Sequence, residues 1–116
     1  MGRYAGINIE IVQGDDQSIS LTFAQNGSAV SIAAWTFHFQ AERDDDTDTI
    51  VIAPAATVKS DSGTGVTDTV TFNITDTLSN IEPGYYIYEI AHKRGGLVET
   101  DVKGTLVITE RITAVV

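Results

Sequence analysis

The sequence predicts an all-β chain folded as an antiparallel sandwich, and three observations predict it. Apolar residues recur at every second position in several short runs, such as Ile19, Leu21 and Phe23, or Val70, Phe72 and Ile74. That period buries one face of a strand, whereas a helix needs a period near 3.6. Turn-forming residues separate the runs at intervals of roughly 8–12 residues, as in sandwiches and barrels. No run has the length and period of a standard helix, which leaves about seven to eight short strands.

In chain order, Ile7, Ile9 and Ile11 alternate with Asn8 and Glu10 and form a first strand that Gly14-Asp15-Asp16 ends. Ile19, Leu21 and Phe23 alternate with Ser18, Ser20 and Thr22 in a second. Gln25-Asn26-Gly27-Ser28 predicts a tight hairpin turn, because Asn-Gly accepts left-handed backbone. Val30 to Ile32 is a short extended return. Trp35, Phe37 and Phe39 alternate with Thr36, His38 and Gln40 in the most aromatic strand, whose odd-numbered face is expected deep in the core. From Glu42 to Asp48 like charges crowd together, and their repulsion predicts a solvated loop. Ile50 to Ile52 is a short strand stopped by Pro54, and 56–59 is expected to continue the same edge after a bend. On an edge, a proline removes no ladder bond.

Residues 60–65 contain Gly63 and Gly65 and are expected as a loop. Val70, Phe72 and Ile74 alternate with Thr69, Thr71 and Asn73 in a further strand. Thr75 to Asn80 suits a single helical turn with Leu78 as its inward anchor. Pro83-Gly84 is a corner: Pro presets φ and Gly accepts a positive one. It feeds an aromatic strand running through Ala91, the expected centre of the fold. Lys93-Arg94-Gly95-Gly96 is a hairpin turn. The last run puts Val98, Val102, Leu106 and Ile108 on one face, with Gly104 among them as a bulge or a close backbone approach. The whole of 1–116 is expected as one domain with short arms at 1–5 and 112–116.

Composition narrows the function. The chain has 116 residues, 42 % of them hydrophobic, so a packed core is available. Seven Lys and Arg stand against 16 Asp and Glu, a net charge of −9, which argues against nucleic acid as a partner. There is no cysteine, which excludes disulfides, thiolate nucleophiles and Cys-ligated zinc. No leader peptide is expected from Met1-Gly2-Arg3-Tyr4, and no apolar run approaches the roughly 20 residues of a membrane-spanning helix.

Catalytic and metal patterns fail on inspection. Asp44, Asp46 and Asp48 imitate the first positions of a calcium loop, but Thr49 replaces its glycine and Ala55 its closing glutamate. His38 and His92 each stand alone on a strand, without the spacing of a local metal site. His38 lies opposite the Trp35–Phe37 face and is expected to be partly exposed. No Gly-x-Ser-x-Gly elbow and no phosphate-binding glycine loop occurs. The expectation is therefore no enzyme, no cofactor and no metal.

Leu78, Gly84, Tyr86 and Tyr88 have the spacing of the tyrosine corner in immunoglobulin-like sandwiches, with Tyr86 as the corner residue and Tyr88 where antibody domains carry their second cysteine. Trp35 stands where such folds bury a tryptophan. The fold expected from this resemblance is an immunoglobulin-like antiparallel β-sandwich. A second resemblance runs through Gln13-Gly14-Asp15, Asn26-Gly27, Pro83-Gly84-Tyr85-Tyr86-Ile87-Tyr88 and Gly104-Thr105-Leu106-Val107-Ile108-Thr109. In this order they resemble small virion proteins of tailed bacteriophages: immunoglobulin-like head-decoration proteins, and the N-terminal docking domain of upper baseplate proteins. The acidic stretch 42–48 and the Ala-rich 53–56 have no counterpart there.

That resemblance implies a non-enzymatic structural protein, located in the virion and assembled in the host cytoplasm. It would dock on the capsid as a decoration or head-fibre base, or else serve as a tail or baseplate adaptor. Its expected partners are other virion proteins and further copies of itself, not nucleic acid or membrane. From the residues, Tyr85, Ile87 and Val107 are expected to share an outward apolar patch. Ile112, Val115 and Val116 make an apolar terminal arm able to add to a partner's sheet edge. A carbohydrate-binding module is the alternative of another class, with Tyr4 and Tyr85 as its only plausible aromatics.

Overall fold

A computed structural model describes residues 8–43, 46–54 and 57–112. The strands in chain order are β1 (Ile9–Val12), β2 (Gln17–Thr22), β3 (Ala24–Gln25), β4 (Ser28–Ala29), β5 (Thr36–Arg43), β6 (Asp46–Ile52), β7 (Thr57–Ser60) and β8 (Thr69–Ile74). One helical turn, α1 (Asp76–Ser79), precedes β9 (Gly84–Arg94) and β10 (Leu97–Thr109). A five-stranded sheet has the order β1-β10-β9-β5-β6, a three-stranded sheet the order β2-β8-β7, and β3 pairs with β4 in a small ribbon. The two main sheets form the expected immunoglobulin-like sandwich. β2, β8 and β7 take the places of strands B, E and D, and β10, β9, β5 and β6 those of G, F, C and C′.

The alternating apolar residues meet between the sheets. Phe37, Phe39, Ile52, Val70, Phe72, Tyr86, Tyr88, Ile90 and Leu106 are all buried, and each such side chain contributes roughly 1.5–3 kcal/mol. Phe39 stacks on Tyr88 with ring centroids 5.5 Å apart and meets Phe72 of the opposing sheet at 5.5 Å. At the corner, Gly84 adopts φ +152°, which L side chains rarely adopt. The Tyr86 hydroxyl donates to the Glu82 carbonyl, forming the expected tyrosine corner. Arg43 closes this end, bonding the Glu82 carboxylate at 3.0 Å and lying 5.9 Å from the Tyr86 ring centre. Leu78 packs on the core as anchor of α1, and the Thr75 side chain caps the turn through the Leu78 amide. Asn26 and Gly27, at φ +52° and +79°, make the predicted hairpin turn.

Several expectations are corrected. β1 pairs with β10 in parallel, Ile9 opposite Leu106, so the sandwich is not wholly antiparallel. The turn at Gln13-Gly14 carries the chain into the other sheet, and β1 and β2 never pair. Glu42 and Arg43 close β5 opposite Ile87 and Tyr86, and Asp46 to Asp48 open β6, so most of 42–48 lies in strands. Ladder bonds to β9 hold that end of β5 in the sheet. β7 does not prolong β6: it pairs with β8 in the opposite sheet, Val58 facing Thr71. Both strands are edges, as expected beside Pro54. The return after the Asn-Gly turn is only Ser28–Ala29, and Ile32 is buried beyond it. Trp35 precedes β5 and is half-buried; the stacked core aromatic of that strand is Phe39.

The last strand departs most. Its bulge falls between Thr100 and Val102, and Gly104 sits in regular register opposite Tyr88. The extra residue inverts the facing of everything before it. Val98 is consequently 65 % exposed, while Val102, Leu106 and Ile108 stay buried as expected. Ile7, the arm 1–5 and Asp44 lie outside the described residues.

Candidate functional site

The predicted patch exists. On the outer face of the five-stranded sheet, Val107 of β10 stands directly opposite Tyr85 of β9, and Ile87 stands opposite Thr105. Tyr85 is 67 % exposed, and Ile87 and Val107 are half-buried around it. Val12 of β1, one pair along from Val107, joins the same face; the sequence reading passed over it because β1 was not expected beside β10. Polar residues bound the apolar row: Glu10 beside Val107, Glu42 beside Ile87, and Glu89 opposite Lys103. Of the terminal arm, Ile112 is 94 % exposed beyond β10, and Val115 and Val116 lie outside the described residues. Arg111 fixes the root of that arm by donating to the Gln13 carbonyl at 2.9 Å and pairing with Asp15. His38 is exposed on this outer face, as expected.

At the other end of β9 the structure assembles a group that the sequence reading missed. His92 does not stand alone. Its Nδ1 lies 2.8 Å from both Asp101 carboxylate oxygens, and its Nε2 lies 3.8 Å from Glu99 Oε1. The imidazole stacks on Trp35 at 4.2 Å and meets the Phe23 ring edge-on at 6.1 Å. Arg94 bonds Glu99 at 3.1 Å and lies 5.2 Å from the Trp35 ring centre. Together these side chains line an open recess of about 530 Å³ with Gln25 and Val30. The His92 side chain is only 4 % exposed, and Nε2 is buried without a hydrogen-bond partner. Burial raises the Asp101 pKa above its ordinary 3.8, with His92 pulling the other way. The bulge is the cause of the assembly: with regular alternation Glu99 and Asp101 would share the outer face with Lys103.

The carboxylate of Asp68, 1 % exposed, is bound quite differently. It accepts from the Ser62 amide at 3.0 Å and from the hydroxyls of Ser62, Thr64 and Thr69 at 2.8, 3.1 and 3.1 Å. Asp61 accepts from the amides of Gly63, Thr64 and Gly65. Those bonds, the backbone amides of Ser62 and Gly63 foremost, hold both carboxyls below the ordinary 3.8. Every acceptor here is used, so the two residues clip loop 61–68 shut. A further recess of about 580 Å³ contains Asp15, Asp16 and Asp76, with Arg111 already bound to Asp15. Among the described residues no three His, Asp or Glu side chains are placed to hold a metal ion.

No protein-family model matches the chain, and no curated protein matches its sequence.

Proposed function

We propose that this chain is a non-enzymatic structural protein of a tailed-phage virion, docking on the capsid as a decoration or head-fibre base. The observation that carries the proposal is the patch of Tyr85, Ile87 and Val107 on the outer sheet face, bounded by Glu10, Glu42 and Glu89. A tyrosine in that setting supplies a large, rigid contact at small entropic cost, the property of an interface anchor. The resemblance to virion proteins supports the same reading, because its motifs fall at the turns and strands that frame the sandwich. Docking joins the patch to backbone edges and to the arm 112–116, and repetition over a virion surface favours self-association.

Immunogold labelling of virions tests the location. Label over the head supports decoration; label on the tail moves the assignment to a tail or baseplate adaptor; no label on intact particles overturns both. A Tyr85→Glu variant that folds normally is expected to lose particle association, and deletion of 112–116 to weaken it. Saccharide-induced shifts at Tyr85, with particle association unchanged in Tyr85→Glu, would instead favour a carbohydrate-binding module.

A further inference from the structure

We propose that β2 is a docking edge for a second copy of the chain, the two β2 strands pairing antiparallel about Ser20. β2 ends the three-stranded sheet, and among the described residues no strand lies on its far side. It runs six residues, Gln17-Ser18-Ile19-Ser20-Leu21-Thr22, without charge or proline, and its register with β8 is unbroken. An edge of that kind is a template for another strand. The other edges are guarded. β1 and β7 have four residues each and carry Glu10 and Lys59, while β6 carries Asp46 and Asp48 and pairs with β5 in an interrupted register.

The backbone direction follows from the Phe23 amide, which donates to the Asp68 carbonyl on the β8 side at 2.9 Å. Alternation then turns the N–H and C=O groups of Ser18, Ser20 and Thr22 to the open edge. The Gln17 side chain caps the Ser18 carbonyl there at 3.2 Å, a bond that a strand amide would replace. Pattern and charge select the occupant. In an antiparallel pair centred on Ser20, that residue meets its own counterpart, Ser18 meets Thr22 and Ile19 meets Leu21, so hydroxyls face hydroxyls and apolar side chains face each other. Ile19 and Leu21 are half-buried against the core and would be covered further. The outer side chains are already held, Ser18 to Asn73 and Ser20 to Thr71 at 2.8 Å and Thr22 to Thr69 at 2.9 Å, which lowers the entropic cost of pairing. Two copies of net charge −9 repel, and an uncharged strand is where they approach at least cost. Asp16, just before β2, is turned to the Asp76 amide at 2.7 Å.

The pairing gives a contact surface to the self-association proposed above, and rests on that part of the reading rather than on a virion location. Sedimentation of the full chain from micromolar to millimolar concentration tests it, and a monomer–dimer equilibrium is expected. Ser20→Pro removes from each copy an N–H that faces the edge and no bond to β8, and is expected to weaken the dimer about tenfold or more with the fold kept. Should that variant unfold, Ser20→Lys sets like charges face to face and is expected to weaken the dimer likewise. Ser18→Lys combined with Thr22→Glu sets opposite charges across the two-fold axis and is expected to tighten it. A chain monomeric at millimolar concentration overturns the pairing and leaves the edge to a strand of another protein, with the immunogold assignment untouched. A dimer insensitive to the Ser20 variants, or not tightened by the double variant, places the contact elsewhere and overturns the pairing equally.

Discussion

Asp68 and Asp101 lie at the same end of the sandwich, joined through one residue. The Phe23 amide donates to the Asp68 carbonyl at 2.9 Å, and the Phe23 ring meets His92, the partner of Asp101. Their surroundings are otherwise opposite. Asp68 receives one amide and three hydroxyls, all from its own loop and the start of β8, and its ionised form is favoured. Asp101 receives a single imidazole across a strand bulge, and burial disfavours its charge. The first arrangement is complete and serves the fold. The second leaves His92 Nε2 buried without a hydrogen bond beside an open recess. A buried carboxylate is therefore informative only when its hydrogen bonds are counted.

Substitution at Asp68 should break the contrast most severely. Asp68→Leu orphans an amide and three hydroxyls at once, with no single change able to compensate, and the unfolding midpoint should fall further than for any other variant named here. His92→Ala should cost about 3 kcal/mol, because it leaves Asp101 buried without a partner. Combining His92→Phe with Asp101→Leu should recover most of that loss, since a buried pair can be exchanged for apolar side chains of similar size. Denaturant titrations measure both. A double variant no better than His92→Ala would show that the pair, like Asp68, is part of the scaffold.

The pH dependence should separate the two regions by sign. The folded pKa values of Asp61 and Asp68 are lowered, so their stabilisation is present above about pH 3.8 and lost as pH falls through the folded values. Asp101 is raised, so its contribution is full below about pH 3.8 and lost as pH rises through its folded pKa. Asp68→Asn should flatten the acid limb of a stability profile, and Asp101→Asn should flatten the decline above it. Matching changes in both variants would refute the contrast. The smallest effect serves as a control from the opposite end: Tyr86→Phe removes the corner bond and should cost about 1 kcal/mol, independent of pH across this range.

The sandwich was legible because period-two apolar runs and turn residues report local geometry directly. Tyr86 and Leu78 were placed correctly because the corner is encoded within a few residues. The patch of Tyr85, Ile87 and Val107 was legible for the same reason: parity along β9 and the end of β10 holds without interruption. The His92 recess was not, because its members come from four separated segments and its phase depends on one extra residue at Thr100–Val102. Glu99-Thr100-Asp101, with two acids two positions apart where the apolar alternation of the strand breaks, was the available signal. The parallel seat of β1 was hidden because alternation reveals which face of a strand is buried but not which neighbour it joins.

That extra residue acts as a phase shifter. Ahead of it, β10 turns its charged side chains toward the recess; behind it, the same strand seals a dry core. Removing the extra residue, Asp101, would make the ladder regular with the pairs on both sides kept, Glu99 opposite His92 and Val102 opposite Ile90, so that Val98 stays outward and Glu99 inward. The strand can therefore change length by one residue at this point without changing the face that its other side chains take.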